Sequence, residues 1–150
     1  MGVWANKQED AHRKIYEAVE DASPANETLI GAVHASMQSA FSVKFLGVGV
    51  TEHHLIILPL NKRWKPTDEP ALLLRPDDLE IDTLFDRKPG VAGFLALNAE
   101  ERGTQLRFSA RGKKYKLEVM GGTLVQDALT SSGQKDGLAA LYEFLDAARS

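Results

Sequence analysis

Residues 104–110 and 113–120 each alternate apolar and polar side chains, and only Arg111-Gly112 separates them. Two alternating runs joined by so short a link form an antiparallel hairpin. The register pairs Phe108 with Tyr115 and Leu106 with Leu117 on an inner face. Ser109 with Lys114, and Arg107 with Lys116, then fall opposite one another on an outer face. Inner pairs of this kind each stabilise a sheet by roughly 0.2–1 kcal/mol. A hairpin with one apolar and one polar face belongs to a sheet that is packed on one side and wet on the other.

Upstream, residues 28–37 place Leu29, Val33, Ala35 and Met37 on one face, with His34 and Ser36 on the other. Residues 43–50 and 54–60 are apolar on both faces and are joined through Thr51-Glu52-His53. Gly47 and Gly49 share a face with Phe45, and glycine inside a strand marks a bend or a close backbone approach. No helix of the right spacing follows them, so they form no phosphate loop. Residues 61–70 read as a polar loop, 72–74 as a short strand, 79–85 as a strand and 91–97 as another, with a turn at 87–90 between the last two. About seven strands therefore precede a final helix, the pattern of a barrel or sandwich with a helical cap.

That helix covers residues 134–149, with Leu138, Leu141, Tyr142 and Leu145 as its apolar stripe. Another spans residues 4–22, where Trp4, Ala11, Ile15, Val19 and Ala22 recur at helical spacing before Ser23-Pro24. His12 is expected on its polar face. An amphipathic helix of this kind packs on the main body or serves a partner. The chain divides into this helix, residues 1–24, and a barrel domain, residues 25–150.

The 150-residue chain has 43% hydrophobic and 26% charged residues, enough apolar side chain for one packed core. It contains no cysteine, which removes disulfides, thiolate nucleophiles and thiolate-bound metals. Charged side chains stand where a signal peptide needs an apolar segment, and no run reaches the roughly 20 apolar residues of a membrane span. Asn6 stands where a myristoylation signal needs Ser or Thr. The expected location is the cytoplasm. A formal net charge of -3 argues against a nucleic-acid partner.

Three passages carry a resemblance to a known family: GVGVTEHHLIILPL, TQLRFSARGKKYKLEV and GLAALYEFLDAAR. They resemble the second and third strands, the late basic hairpin and the closing helix of the bacterial pleckstrin-homology-like domains, over residues 26–149. The resemblance implies a mainly β fold with flanking helices, a strongly bent antiparallel barrel of about seven strands capped by its C-terminal helix. It also implies a binding or scaffolding role without chemistry. The stretch 38–44 departs from the lipid-binding pattern of that family, since Lys44 is its one basic residue.

Basic residues gather at Lys62-Arg63-Trp64-Lys65 and on the hairpin at Arg107, Lys113, Lys114 and Lys116. The candidate ligand site is Lys62, Arg63, Trp64, Lys65, Arg107, Lys114 and Lys116. Like charges opposite one another, as at Arg107 and Lys116, repel unless a counter-charge is near, and an anionic surface or acidic partner supplies one. Trp64 among lysines suits headgroup depth at a membrane. The simpler reading is a solvated face, with Glu118 diagonal to Arg107. His53 and His54 are adjacent and lack metal-ligand spacing, and the acids Asp77, Asp78, Glu80, Asp82 and Asp86 lack the form of a calcium loop. No nucleophile elbow occurs. The expectation is an interaction module that binds another protein or itself, with an anionic membrane as the alternative, and with no catalytic residue, metal or cofactor.

Overall fold

A computed structural model of the chain describes residues 2–38, 41–81, 104–119 and 132–149. In order these form α1 (Gly2–Ala22), β1 (Gly31–Gln38), β2 (Val43–Val50), β3 (Leu55–Leu60), β4 (Leu72–Leu74), a 3-10 turn (Pro76–Asp78), β5 (Leu79–Glu80), β6 (Thr104–Ala110), β7 (Lys113–Val119) and α2 (Ser132–Arg149). The strand expected at 91–97, the turn at 87–90 and the outer part of the strand expected at 79–85 lie outside the described residues.

Among the described residues seven strands form one antiparallel sheet in the order β4-β3-β2-β1-β7-β6-β5. Its two edges, β4 and β5, are separated in sequence only by Arg75 and the 3-10 turn. So short a connection draws the edges together and bends the sheet into a nearly closed barrel. The turn is held by Asp78, whose carboxylate accepts from the Arg75 amide at 2.9 Å. Arg111, at the tip of the β6–β7 hairpin, reaches both Asp78 Oδ2 and the Leu73 carbonyl at 3.3 Å and so links hairpin to edge. The Arg75 amide, then Arg111, hold the Asp78 carboxyl below the usual carboxylate range.

The hairpin register is the one its alternation requires: Leu106 opposite Leu117, Phe108 opposite Tyr115, Arg107 opposite Lys116, Ser109 opposite Lys114. The Phe108 and Tyr115 rings stack with centroids 5.1 Å apart. Arg111 (φ 51) and Gly112 (φ 82) both adopt the left-handed backbone that a two-residue hairpin link demands.

Two apolar clusters lie on opposite sides of β1–β3. Inside the barrel, Val33, Ala35, Leu46, Val48, Val50, Leu55 and Ile57 meet the inner face of β6–β7 and the α2 residues Leu141 and Leu145. Outside it, Ile15 and Val19 of α1 pack on Leu29, Ala32, Ile56, Leu58 and Leu60. This second cluster explains why β2 and β3 are apolar on both faces. Gly47 and Gly49 allow α1 to settle: a Cβ on Gly49 would stand 2.5 Å from Val19 Cγ1, and one on Gly47 2.9 Å from Val19 Cγ2.

Three expectations are corrected. Ala11, placed on the apolar stripe of α1, is exposed, because the buried stripe runs through positions 12, 15 and 19. Leu29 does not share a face with Val33, because β1 begins only at Gly31 and alternation does not extend past the ladder; Leu29 packs under α1. His12 is buried rather than on a polar face, and its Nε2 donates to the Ala32 carbonyl at 2.8 Å. It stands three residues before Ile15 and seven before Val19, so it shares their stripe, and Gly133 of α2 leaves room for its ring.

α2 crosses β1 backbone to backbone. A Cβ on Gly137 would collide with the Ala32 carbonyl and stand 2.9 Å from Val33 Cγ1. In an open helix, Gly→Ala stabilises by about 1 kcal/mol. Here Gly137→Ala is expected to destabilise by about 1–3 kcal/mol, because the nearest obstacle is backbone and cannot rotate away. The urea midpoint checks the sign.

Candidate functional site

α2 lies against the end of the barrel where β1 starts, with Ala140 and Gly137 at Gly31. The opposite end, where β1 finishes and β2 begins, opens into a cavity of about 410 Å³. Its makeup follows from strand alternation. In β7 the inner face carries Lys113, Tyr115, Leu117 and Val119, so Lys113 is the last inward position before solvent. In β2 the inner face carries Lys44, Leu46, Val48 and Val50, and Lys44 pairs with Met37 of β1. Both lysines therefore stand where an interior row reaches the rim. Lys62, at the start of the β3–β4 loop, joins them. Leu46, Ile57, Leu72 and Tyr115 form an apolar floor.

The described residues give Lys44 and Lys62 no ion pair, and the Lys113 ammonium lies 5.3 Å from the centre of the Tyr115 ring. Glu69 is the one carboxylate among the described lining residues. Beside this mouth Phe41 is 99% exposed and Val43 49%. Large apolar side chains singly exposed are ordinary, but Val43 lines this cationic cavity and Phe41 precedes it by two residues, so together they add contact area for a bound partner.

The seven residues singled out from the sequence fall into three places. Lys62 lines the mouth. Arg63, Trp64 and Lys65 lie on the other side of the same loop, facing α1. Arg107, Lys114 and Lys116 line a shallow groove with Glu80 and Ser109 on the outer face of β6–β7. The half-buried Trp64 ring packs edge-on against Phe45, centroids 4.6 Å apart, and His34, at 5.0 Å. Sequence reasoning grouped Lys113 with the outer lysines and gave Lys44 and Phe41 no role. The alternation already placed Lys113 with Tyr115, whereas the meeting of β1, β2, β3 and β7 at one rim is visible only in the fold.

At the α2 end, Glu27 ties the approach to β1 to the β2–β3 turn. Its carboxylate accepts from Thr51 Oγ1 at 2.5 Å and from His54 Nδ1 at 2.8 Å. The His54 amide donates to Thr51 Oγ1 at 3.0 Å. The Thr51 hydroxyl, followed by His54, holds the Glu27 carboxyl below its ordinary range. These bonds close on one another, so the group works as a clasp for the turn.

No protein-family model and no curated protein matches this sequence. Among solved structures the chain is similar to the hSac2 domain from human phosphoinositide phosphatase Sac2, at 11% identity and a TM-score of 0.47, covering 95% of this chain and 82% of that one. Among the described residues no helix is long and apolar enough to cross a membrane.

Proposed function

We propose that this chain is a non-catalytic, PH-like interaction module, working in the cytoplasm, whose open barrel mouth receives an acidic segment of another protein. The observation that carries this reading is the mouth itself: three lysines ring an apolar floor in a molecule of net charge -3. Charge of that sign steers an acidic segment, and the floor takes an aliphatic or aromatic anchor from it. The chain's lack of cysteine suits a reducing compartment.

The test is fluorescence anisotropy with an array of labelled acidic peptides, each carrying one leucine or phenylalanine. Binding that weakens with salt and is lost in the Lys44→Glu/Lys62→Glu/Lys113→Glu variant is the expected result. Peptide affinity that the triple variant leaves unchanged overturns the assignment of the mouth. The exposed Phe41 and Val43 beside the lysines favour one other reading, docking on an anionic membrane with those side chains inserted. Vesicles of neutral lipid with one-fifth phosphatidylserine probe it. Sedimentation that depends on Phe41, together with no peptide binding, would replace the first reading by the second.

A further inference from the structure

A second cleft, of about 690 Å³, lies between α1 and the β3–β4 loop, on the far side of that loop from the mouth. The loop is a fixed object. Asn61 Oδ1 accepts from the Arg63 amide at 2.8 Å and from the Lys65 amide at 3.1 Å. The Asn61 amide donates to the Lys65 carbonyl at 2.8 Å, and the Trp64 amide to the Asn61 carbonyl at 2.9 Å. These bonds hold Trp64 at φ 62, a conformation that bulky residues rarely adopt. The strained backbone turns the indole onto Phe45 and His34 and leaves Arg63 and Lys65 flanking it in the cleft.

Lys14 approaches from α1, more than forty residues earlier in the chain. Neither Lys14, Arg63 nor Lys65 forms an ion pair or side-chain hydrogen bond among the described residues. Asp10, the carboxylate among the described lining residues, is bonded to Arg13 at 2.9 Å. Three cations without an ion pair among the described residues therefore converge on one concavity, next to a planar indole pinned in place. Burial, reinforced by His12, pushes the His34 imidazole beneath it down to about 4, so that ring is neutral at physiological pH and adds no cation of its own.

We propose that this cleft binds a nucleoside phosphate, with the phosphate held by Lys14, Arg63 and Lys65 and the base laid against Trp64. Unpaired lysines and a guanidinium are the groups that bind phosphate oxygens. A held aromatic face accepts any base. The cleft is of a size that encloses a ligand of that class. This site is independent of the mouth, which uses Lys62 and not its neighbours.

The experiment is titration of the full chain with ADP, adenosine and inorganic phosphate at low salt. Isothermal titration is run on the natural sequence and indole fluorescence on the Trp4→Phe chain, in which Trp64 is the reporter. The expected result is saturable ADP binding with a change in Trp64 emission, and with adenosine and phosphate each about tenfold or more weaker. Arg63→Ala and Lys65→Ala, both at exposed positions, are each expected to weaken ADP about tenfold without moving the urea midpoint. The triple lysine variant of the mouth keeps ADP binding. Absence of saturable binding at millimolar ADP overturns the proposal. So does phosphate alone binding as well as ADP, or ADP affinity that survives both substitutions.

Discussion

Val19→Asp is expected to cost on the order of 4 kcal/mol, close to the whole stability of a domain this size. Val19 is fully buried, and its two methyl groups lie over Gly47 and Gly49. A carboxylate there would sit between two glycines and an aliphatic layer, Ile56, Leu58 and Leu60 among it, and such a charge cannot be screened by rotation. The same substitution at exposed Ala11, on the same helix, costs only the propensity difference, well under about 1 kcal/mol. Urea denaturation of the two variants separates a helix that seals the outer cluster from one merely attached to it. Equal midpoints would mean that α1 contributes nothing to the fold.

Acidification is expected to unfold the protein earlier than its carboxylates alone would cause. Buried against Trp64 and close to His12, His34 has its pKa lowered from 6.5 to about 4. Above pH 6.5 the ring is neutral in both folded and unfolded chains and stability does not depend on it. Below 6.5 the unfolded chain takes up the proton and the folded one does not. Stability therefore falls between pH 6.5 and 4, by up to roughly 3 kcal/mol, and levels off once the folded ring also protonates. The clasp carboxylate Glu27, with its lowered pKa, adds a further loss on the acid side of the ordinary carboxylate range. His34→Gln should flatten the upper part of the curve, between pH 6.5 and 4.5, and leave the lower part. The measurement is the urea midpoint against pH, with Trp64 emission as a local reporter. A midpoint that is constant over that interval in the natural sequence would sink the argument.

Local rules made much of this architecture readable in advance. Alternation across 104–119 is enough to define the hairpin and its register, because side-chain direction in a strand has period two and the link at Arg111-Gly112 leaves no slack. The stripe Leu138, Leu141, Tyr142 and Leu145 is enough to define the packed face of α2. The double-sided apolar runs of β2 and β3 announced two covered faces, but not what covered them. That the cover is α1, and that Gly47 and Gly49 are there to admit Val19, follows from a contact between segments some thirty residues apart.

The candidate sites divide along the same line. Sequence alone determined which residues carry positive charge and, for those on strands, on which face each one stands. It also placed Lys113 with Tyr115, since that needs only the period of one strand. Tertiary structure decided which of them meet. The curl of the sheet brings the ends of β1, β2, β3 and β7 to one rim and places Lys44, Lys62 and Lys113 around it. The left-handed backbone at Trp64 sends Arg63 and Lys65 toward α1 instead, away from the Lys62 they follow in sequence. The physical reason is range: side-chain direction is set within a residue or two, whereas convergence depends on sheet bending and helix docking, which come from burying both faces of β1–β3 at once.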